Sequence, residues 1–233
     1  MTFFLGVDLG QASDYTALAV LERGRLAKVP TMEPGFGIMK AGGTGGDRVY
    51  PGIPVPVSGP DTWAFKCRHL ERLRLGTSYP AVADRVTEIL ASTALQDDPQ
   101  LVVDATGVGR AVVDLMRQRK LDPIAVSIHG GDQTTFEQGW RVPKRDLVSV
   151  IQVLLQTDRF HVAEALPEWP ILQRELLNFK VKIDPLTAHD SYGAWREGSH
   201  DDLVLAVAVA AWWGMRYEPR SPRNYSSRCY ASL

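Results

Sequence analysis

Acidic residues stand beside strongly apolar sequence at three separate places in this chain. Asp8 lies inside the apolar first strand, Asp104 ends a later apolar run, and Asp201 and Asp202 precede a long stretch of Leu, Val, Ala and Trp. Burying an unpaired carboxylate is costly, so such groups are usually paired or bound to a cation. Converging carboxylates repel one another, and a divalent cation removes that repulsion. The pattern therefore predicts a metal site of the kind used for two-metal phosphodiester cleavage.

Each acid also has a simpler interpretation. Asp201 and Asp202 suit the N-terminus of a helix, where they would act as caps. Asp104 could accept hydrogen bonds from backbone amides of the following 106–109 segment, and Asp14 by itself is typical of a turn. This alternative is weaker for Asp8, because a hairpin strand rarely carries an inward-facing acid. The sequence alone leaves these alternatives open.

The predicted elements that must position these acids form a mixed sheet. Two strands joined by a short polar connection indicate a hairpin, and helices then alternate with strands, which favours an α/β fold with helices on both faces. We expect strands over residues 3–9, 15–23, 63–73, 101–104, 123–128 and 179–183. We expect helices from 77 or 78 onward, after Gly107 and Gly109, and over 143–156, 168–178 and 199–215.

Residues 31–62 differ in composition from the rest of the chain. They hold eight Gly and five Pro, which predicts an insertion of irregular backbone, part flexible and part extended. We expect a single domain over 1–217 that contains this insertion, followed by a mobile polar tail over 218–233.

The overall composition is that of an ordinary globular protein. Of the 233 residues, 45% are hydrophobic and 23% charged, and the formal net charge is −1, which neither requires nor excludes nucleic acid. No apolar run reaches about 18 residues, so no membrane partner is expected. The start of the chain has no basic leader, and Cys67 and Cys229 lie far apart. We therefore expect a cytoplasmic protein with reduced thiols.

Four segments together resemble the nuclease domain of phage terminase large subunits. The segments are 6–20, 69–86, 101–116 and 199–213, and the match runs in order over about residues 3–215. "HDDLV" followed by an apolar helix is its most specific piece. The resemblance implies a ribonuclease H-like fold. It also implies an endonuclease that uses two Mg²⁺ or Mn²⁺ ions to cut double-stranded DNA with little sequence specificity, as when concatemeric phage DNA is cut during packaging.

The resemblance also carries residue roles. It places the catalytic metal ligands at Asp8, Asp104 and Asp202, with Asp14 as an additional ligand and Asp201 able to assist or substitute. We prefer Asp202 because it lies on the same helical face as the apolar residues that follow it. Double-stranded DNA is the implied substrate. A separate packaging ATPase, the small terminase subunit or the portal are the implied protein partners in the host cytoplasm.

One departure from the family concerns the motor. Terminase large subunits usually carry an ATPase with a G-x-x-x-x-G-K-[ST] loop, and the chain contains no such motif. It is therefore not expected to drive packaging by itself.

Several basic residues are candidates for DNA contact. Lys144 and Arg145 fall in the first turn of a predicted helix. The helix macrodipole disfavours cations at this position, but it would stabilise a bound phosphate that both side chains could contact. The simpler interpretation is that both side chains point to water. His200 could position a water or a phosphate, or be a surface residue. Arg72 and Arg74 are weaker candidates.

Three other functions stay open. A Holliday-junction resolvase has the same fold and metal acids. "VDLG" followed by a hairpin also resembles the first phosphate loop of actin-like ATPases, of which this chain would be a fragment. A non-catalytic module that docks on DNA or a portal is the third.

Overall fold

The computed structural model describes residues 1–10, 14–25, 31–39, 48–57, 63–95, 98–107, 109–178 and 201–218. The strand predicted at 179–183, His200, Cys229 and nearly all of the predicted tail lie outside the described residues. No helix in the described part of the chain is long and apolar enough to cross a membrane.

One large mixed sheet organises the described residues. Its eight strands lie in the order β10-β5-β2-β1-β6-β7-β9-β8. They are β1 (Thr2–Asp8), β2 (Ala17–Arg25), β5 (Trp63–Arg72), β6 (Gln100–Asp104), β7 (Ile124–His129), β8 (Thr135–Phe136), β9 (Trp140–Pro143) and β10 (Phe160–Val162). β1 pairs antiparallel with β2 and parallel with β6, so the predicted hairpin and the parallel half of the sheet meet at β1.

Five helices of the described chain cover the sheet. They are α1 (Tyr79–Leu90), α2 (Gly109–Gln118), α3 (Lys144–Gln156), α4 (Trp169–Asn178) and α5 (Asp202–Arg216). α1 and α2 contribute to one buried cluster, and α3, α4 and α5 to another. Because the central strands are buried on both faces, they are apolar throughout instead of alternating with polar residues. The predicted architecture of a mixed sheet between two helical layers is confirmed.

Short strands account for most of what the sequence did not predict. β8, β9 and β10 hold two, four and three residues, which is too short for an apolar pattern to develop. Each is defined by its partner: β9 pairs with β7, β8 pairs with β9, and β10 pairs with β5, which lies far earlier in the chain.

The Gly/Pro-rich segment contains more order than its composition predicts. β3 (Thr31–Met39) and β4 (Arg48–Val57) pair antiparallel in a second, two-stranded sheet. The expectation of irregular backbone is therefore wrong for these ranges, although the extended part was anticipated. A two-stranded sheet consists of two edge strands, and an edge can accommodate prolines that lack an N–H.

A glycine brings α5 down onto β1. A Cβ on Gly6 would lie 1.9 Å from the carbonyl oxygen of Ala206 and 2.9 Å from the Cβ of Ala210, so only glycine permits this approach. α5 is almost entirely apolar and buried, as expected for a helix that is hydrophobic all round. The contact fixes where the first turn of α5 lies relative to the end of β1.

Candidate active site

Asp8 and Asp104 lie side by side at the ends of two neighbouring parallel strands. They are register partners across the β1–β6 pair, and only 9% and 6% of their surfaces are exposed. Both stand on the face of the sheet that α5 covers, because Asp8 follows Gly6 by two residues and Asp104 follows Val102 by two. We call these two residues the strand acids.

The strand acids are hydrogen-bonded to each other. The pKa of Asp8 is raised well above its ordinary value, first by burial and then by the charges of Asp104, Asp202 and Asp201. Burial also raises the pKa of Asp104, although Thr106, Asp8 and Lys144 act in the opposite direction. The raised pKa of Asp8 favours its protonated form, which can donate a hydrogen bond to Asp104. Two adjacent buried carboxyls cannot both ionise without a compensating cation.

Thr106 holds Asp104 in place. Asp104 Oδ1 accepts hydrogen bonds from the Thr106 backbone N–H at 2.8 Å and its hydroxyl at 2.5 Å. The Thr106 Oγ1 in turn accepts the N–H of Ile128 at 2.8 Å, which ties the end of β6 to β7. The backbone-amide interpretation of Asp104 is thus present in the structure alongside its approach to Asp8. The bond from the Thr106 amide agrees with that interpretation, whereas the bond from the Thr106 hydroxyl was not predicted.

The first turn of α5 brings Asp202 over the same face. Asp202 precedes Ala206 by four residues, about 6 Å along a helix, and Asp8 follows Gly6 by two residues, about 7 Å along a strand. Because the helix starts where the strand ends, the close contact at Gly6 sets Asp202 beside Asp8. Asp202 is 6% exposed, and its charge raises the pKa of Asp8.

Asp201 and Asp202, which we call the helix acids, each bond a cation from a distant element. Arg72 of β5 donates from Nη2 to Asp202 Oδ2 at 2.7 Å, and its guanidinium carbon lies 4.0 Å from the centre of the Tyr15 ring. Lys144 at the start of α3 donates from Nζ to Asp201 Oδ2 at 3.0 Å. Side-chain exposure is 13% for Arg72 and 15% for Lys144.

Capping does not explain the helix acids. Asp201 is the N-cap residue of α5, yet its side chain makes no capping hydrogen bond. Glu175 of α4 makes a capping hydrogen bond instead, because its Oε2 accepts the N–H of Val204 at 2.9 Å. Burial raises the pKa of Glu175 to about 7, although the Val204 N–H and Arg72 lower it. A residue from another helix thus accepts one N–H of the first turn of α5, while the helix acids bond Arg72 and Lys144.

Among the described residues, Asp14, Arg145 and Arg74 make no hydrogen bond or ion pair with the strand acids or the helix acids. Asp14 is exposed in the connection between β1 and β2 and is not among the main charges that act on Asp8. Arg145 lies at the surface, where its Nη1 bonds Asp132 Oδ1 at 2.7 Å. Arg74 is exposed in the turn after β5.

The carboxylates of Asp8, Asp104 and Asp202 are suitable ligands for a divalent cation, but in this structure they interact with other groups. Carboxylate oxygens are the ligands that Mg²⁺ and Mn²⁺ prefer. Within the described residues, however, no three His, Cys, Asp or Glu side chains are placed to hold a metal ion together. The protonated form of Asp8 is favoured, and Asp202 bonds Arg72. A bound cation would have to displace that proton and release Asp202 from Arg72.

Comparison with solved structures identifies the fold. The large terminase nuclease from the thermophilic phage G20c superposes with a TM-score of 0.52 at 16% sequence identity, covering 93% of this chain and 83% of that one. The same nuclease with bound zinc gives 0.49 at 17% identity, covering 93% and 82%. The manganese-soaked human cytomegalovirus terminase nuclease domain gives 0.45 at 15% identity, covering 90% and 81%.

No protein-family model matches the chain, and no curated protein matches it. At 16% identity, the likeness to the phage G20c nuclease establishes the fold, and the predicted ribonuclease H-like class is confirmed.

Proposed function

We propose that the chain is a metal-dependent endonuclease that cuts double-stranded DNA with little sequence preference. One observation carries the proposal: the strand acids and Asp202 converge on one face of a sheet that has the fold of a terminase nuclease. Three acids from β1, β6 and α5 are widely spaced in the sequence. A purely structural role does not require them to meet at a site where their charges oppose one another.

Asp8, Asp104 and Asp202 would hold two Mg²⁺ or Mn²⁺ ions. Such ions, when bound, activate a water and stabilise charge on the leaving oxygen. The charges of both Asp104 and Asp202 act on Asp8, so Asp8 would be the ligand common to both ions. Thr106 keeps one Asp104 oxygen oriented, and Asp201 would assist at the α5 side. Asp14 stays a proposed accessory ligand at the second position.

The protein would grip DNA by its phosphates. Arg145 presents a guanidinium at the surface close to the N-terminus of α3, while Lys144 at the same helix start is turned toward Asp201. Phosphate contacts of this kind carry no sequence information, which fits an enzyme with little preference. His200 is a further proposed contact.

The biological setting that we propose is genome packaging in a phage. The enzyme would cut concatemeric DNA in the host cytoplasm, together with a packaging ATPase, the small terminase subunit or the portal. The support is the fold shared with the phage G20c nuclease.

A plasmid assay tests the proposal. Supercoiled plasmid incubated with the purified chain and Mn²⁺ or Mg²⁺ should be nicked and then linearised, and EDTA should stop the reaction. Sequencing of the ends should show cuts spread over many sites. Asp104→Ala should abolish cleavage, whereas Asp114→Asn, on the exposed surface of α2, should not.

Three results would contradict the proposal. Cleavage that persists in EDTA or in Asp104→Ala would reject the metal site. A strong preference for four-way junctions over linear duplex would favour a resolvase. Tight ATP binding by calorimetry without cleavage would revive the ATPase interpretation.

A further inference from the structure

We infer that Glu175 is a positioning residue that provides an alternative partner for Arg72 when a metal ion takes Asp202. The inference rests on the proposed function and deepens it. It assigns a role to a residue that lies on α4, outside the set of acids recognised in the sequence.

Glu175 is built into the site through one of its two oxygens. Its Oε2 accepts the Val204 N–H, and the residue is 7% exposed. The bond satisfies a backbone donor that the first turn of a helix leaves without an intrahelical partner. Glu175 therefore fixes the turn that carries both helix acids.

The second oxygen of Glu175 is an unused acceptor, and the Nε of Arg72 is an unused donor of opposite charge. Arg72 Nε and Glu175 Oε1 are both buried and have no hydrogen-bond partner among the described residues. The charge of Arg72 already acts on Glu175. Buried polar groups normally find partners, so a group left unmatched calls for a functional explanation.

The arrangement gives Arg72 two possible anionic partners. It bonds Asp202 through Nη2 in the structure. A divalent cation that claimed the Asp202 carboxylate would leave the guanidinium buried beside a competing positive charge. Glu175 would then neutralise Arg72 within the same cluster, with no need to expel the side chain to water. Arg72 thus competes with the metal for Asp202, and Glu175 weakens that competition.

Calorimetric titration of the full chain with Mn²⁺ at pH 8 tests the inference. Arg72→Gln removes the competitor and should tighten Mn²⁺ binding about tenfold. Glu175→Gln keeps an oxygen for the Val204 N–H but loses the charge, and should weaken binding about fivefold. In the Arg72→Gln background, Glu175→Gln should change affinity less than about twofold. Glu164→Gln, on an exposed loop before α4, is the matched control.

Each outcome bears on a different claim. If Glu175→Gln weakens Mn²⁺ binding equally in both backgrounds, Glu175 acts by its own charge and the inference is overturned. Arg72→Gln without tighter binding overturns it as well, and that result does not depend on any change at Glu175. If the wild-type chain binds no Mn²⁺, the proposed function itself is contradicted. Melting curves in EDTA verify that each variant is folded.

Discussion

The strand acids and the helix acids carry the same chemical group within one cluster, yet they are neutralised in different ways. Burial raises the pKa of both strand acids, so the protonated form of Asp8 is favoured beside Asp104. Each helix acid bonds a cation that comes from a distant element, Arg72 or Lys144. The difference follows from what holds each pair in place.

Backbone pairing fixes the strand acids. The β1–β6 register puts Asp8 opposite Asp104 whatever their charges are, so only a small species such as a proton or a metal ion can enter between them. The helix acids project from a helix start, where long cationic side chains can reach them. A metal ion could therefore bind between the strand acids by replacing a proton. At the helix acids, a metal ion would have to displace the side chain of Arg72 or Lys144.

The largest effect should follow from substitution of Asp8. Asp8→Asn removes a proposed metal ligand and should lower cleavage by about 10³-fold or more. It should also raise stability at pH 8 by roughly 1–3 kcal/mol, because the Asn amide can donate to Asp104 without a titrating proton. Plasmid cleavage and thermal melting measure the two effects.

The stability gain should depend on pH with a defined sign. A carboxyl whose pKa is raised on folding binds its proton more tightly in the folded state, so it costs stability as pH rises above its unfolded pKa of 3.8. The advantage of Asp8→Asn should therefore be present at pH 8 and fade toward pH 4. If the variant is less stable than wild type at pH 8, the Asp8 carboxyl does not destabilise the folded state at that pH.

Breaking the Arg72–Asp202 pair should have the next largest effect. Without a metal, Arg72→Gln removes the ion pair between the guanidinium and the Asp202 carboxylate while that carboxylate stays buried. The loss should cost roughly 3 kcal/mol, or about 6–12 °C in melting temperature for a chain of this size. The double variant Arg72→Gln/Asp202→Asn should recover most of this loss. If the double variant melts as low as the single one, the pair is not what stabilises the wild type.

Glu175 should give a smaller, pH-dependent effect. Because burial raises its pKa from 4.5 to about 7, the folded state holds a proton that the unfolded state has released. Stability should therefore fall as pH rises from about 4.5 to about 7, by roughly 1–3 kcal/mol. Glu175→Gln should flatten this part of the curve, measured by urea unfolding across the pH range. An unchanged pH profile would contradict the assignment.

The smallest effect should separate the two basic residues at the start of α3. Arg145 is exposed, so Arg145→Ala should weaken DNA binding and reduce the slope of log affinity against log salt by about 1. Lys144→Ala should change the slope less, because Lys144 is largely buried against Asp201. Fluorescence anisotropy at several salt concentrations measures both. Equal slopes for both variants would mean that Lys144 leaves Asp201 to contact DNA.

The main strands and helices were predicted well because the patterns that define them lie within each segment of the sequence. The apolar runs at β1 and β6 end in acids, and a helix that is apolar all round must be buried wherever it packs. Lys144 at the start of α3 was also predictable, since Pro143 stands immediately before the helix. The short strands β8 to β10 and the pairing of β3 with β4 were missed, because their partners decide them and their own patterns do not.

The site was predictable in its acids but not in their partners. An acidic residue beside an apolar run can be recognised in the sequence, and the resemblance to terminase nucleases selected the same residues. Nothing near Glu175 distinguishes it from a surface glutamate on an amphipathic helix. Arg72 was visible only as a basic residue, and its position suggested DNA contact over an internal ion pair.

The sequence by itself determined where the acids stand on their own elements, because the ends of strands and helices follow from neighbouring residues. Only the tertiary structure decided how each acid is neutralised. Arg72 and Asp202 lie 130 residues apart, Lys144 and Asp201 57, and Glu175 and Val204 29. Those contacts depend on the order of the strands and on the close approach of α5 to β1 at Gly6. Electrostatic neutralisation acts through space, so it is set by which elements pack together and not by their order along the chain.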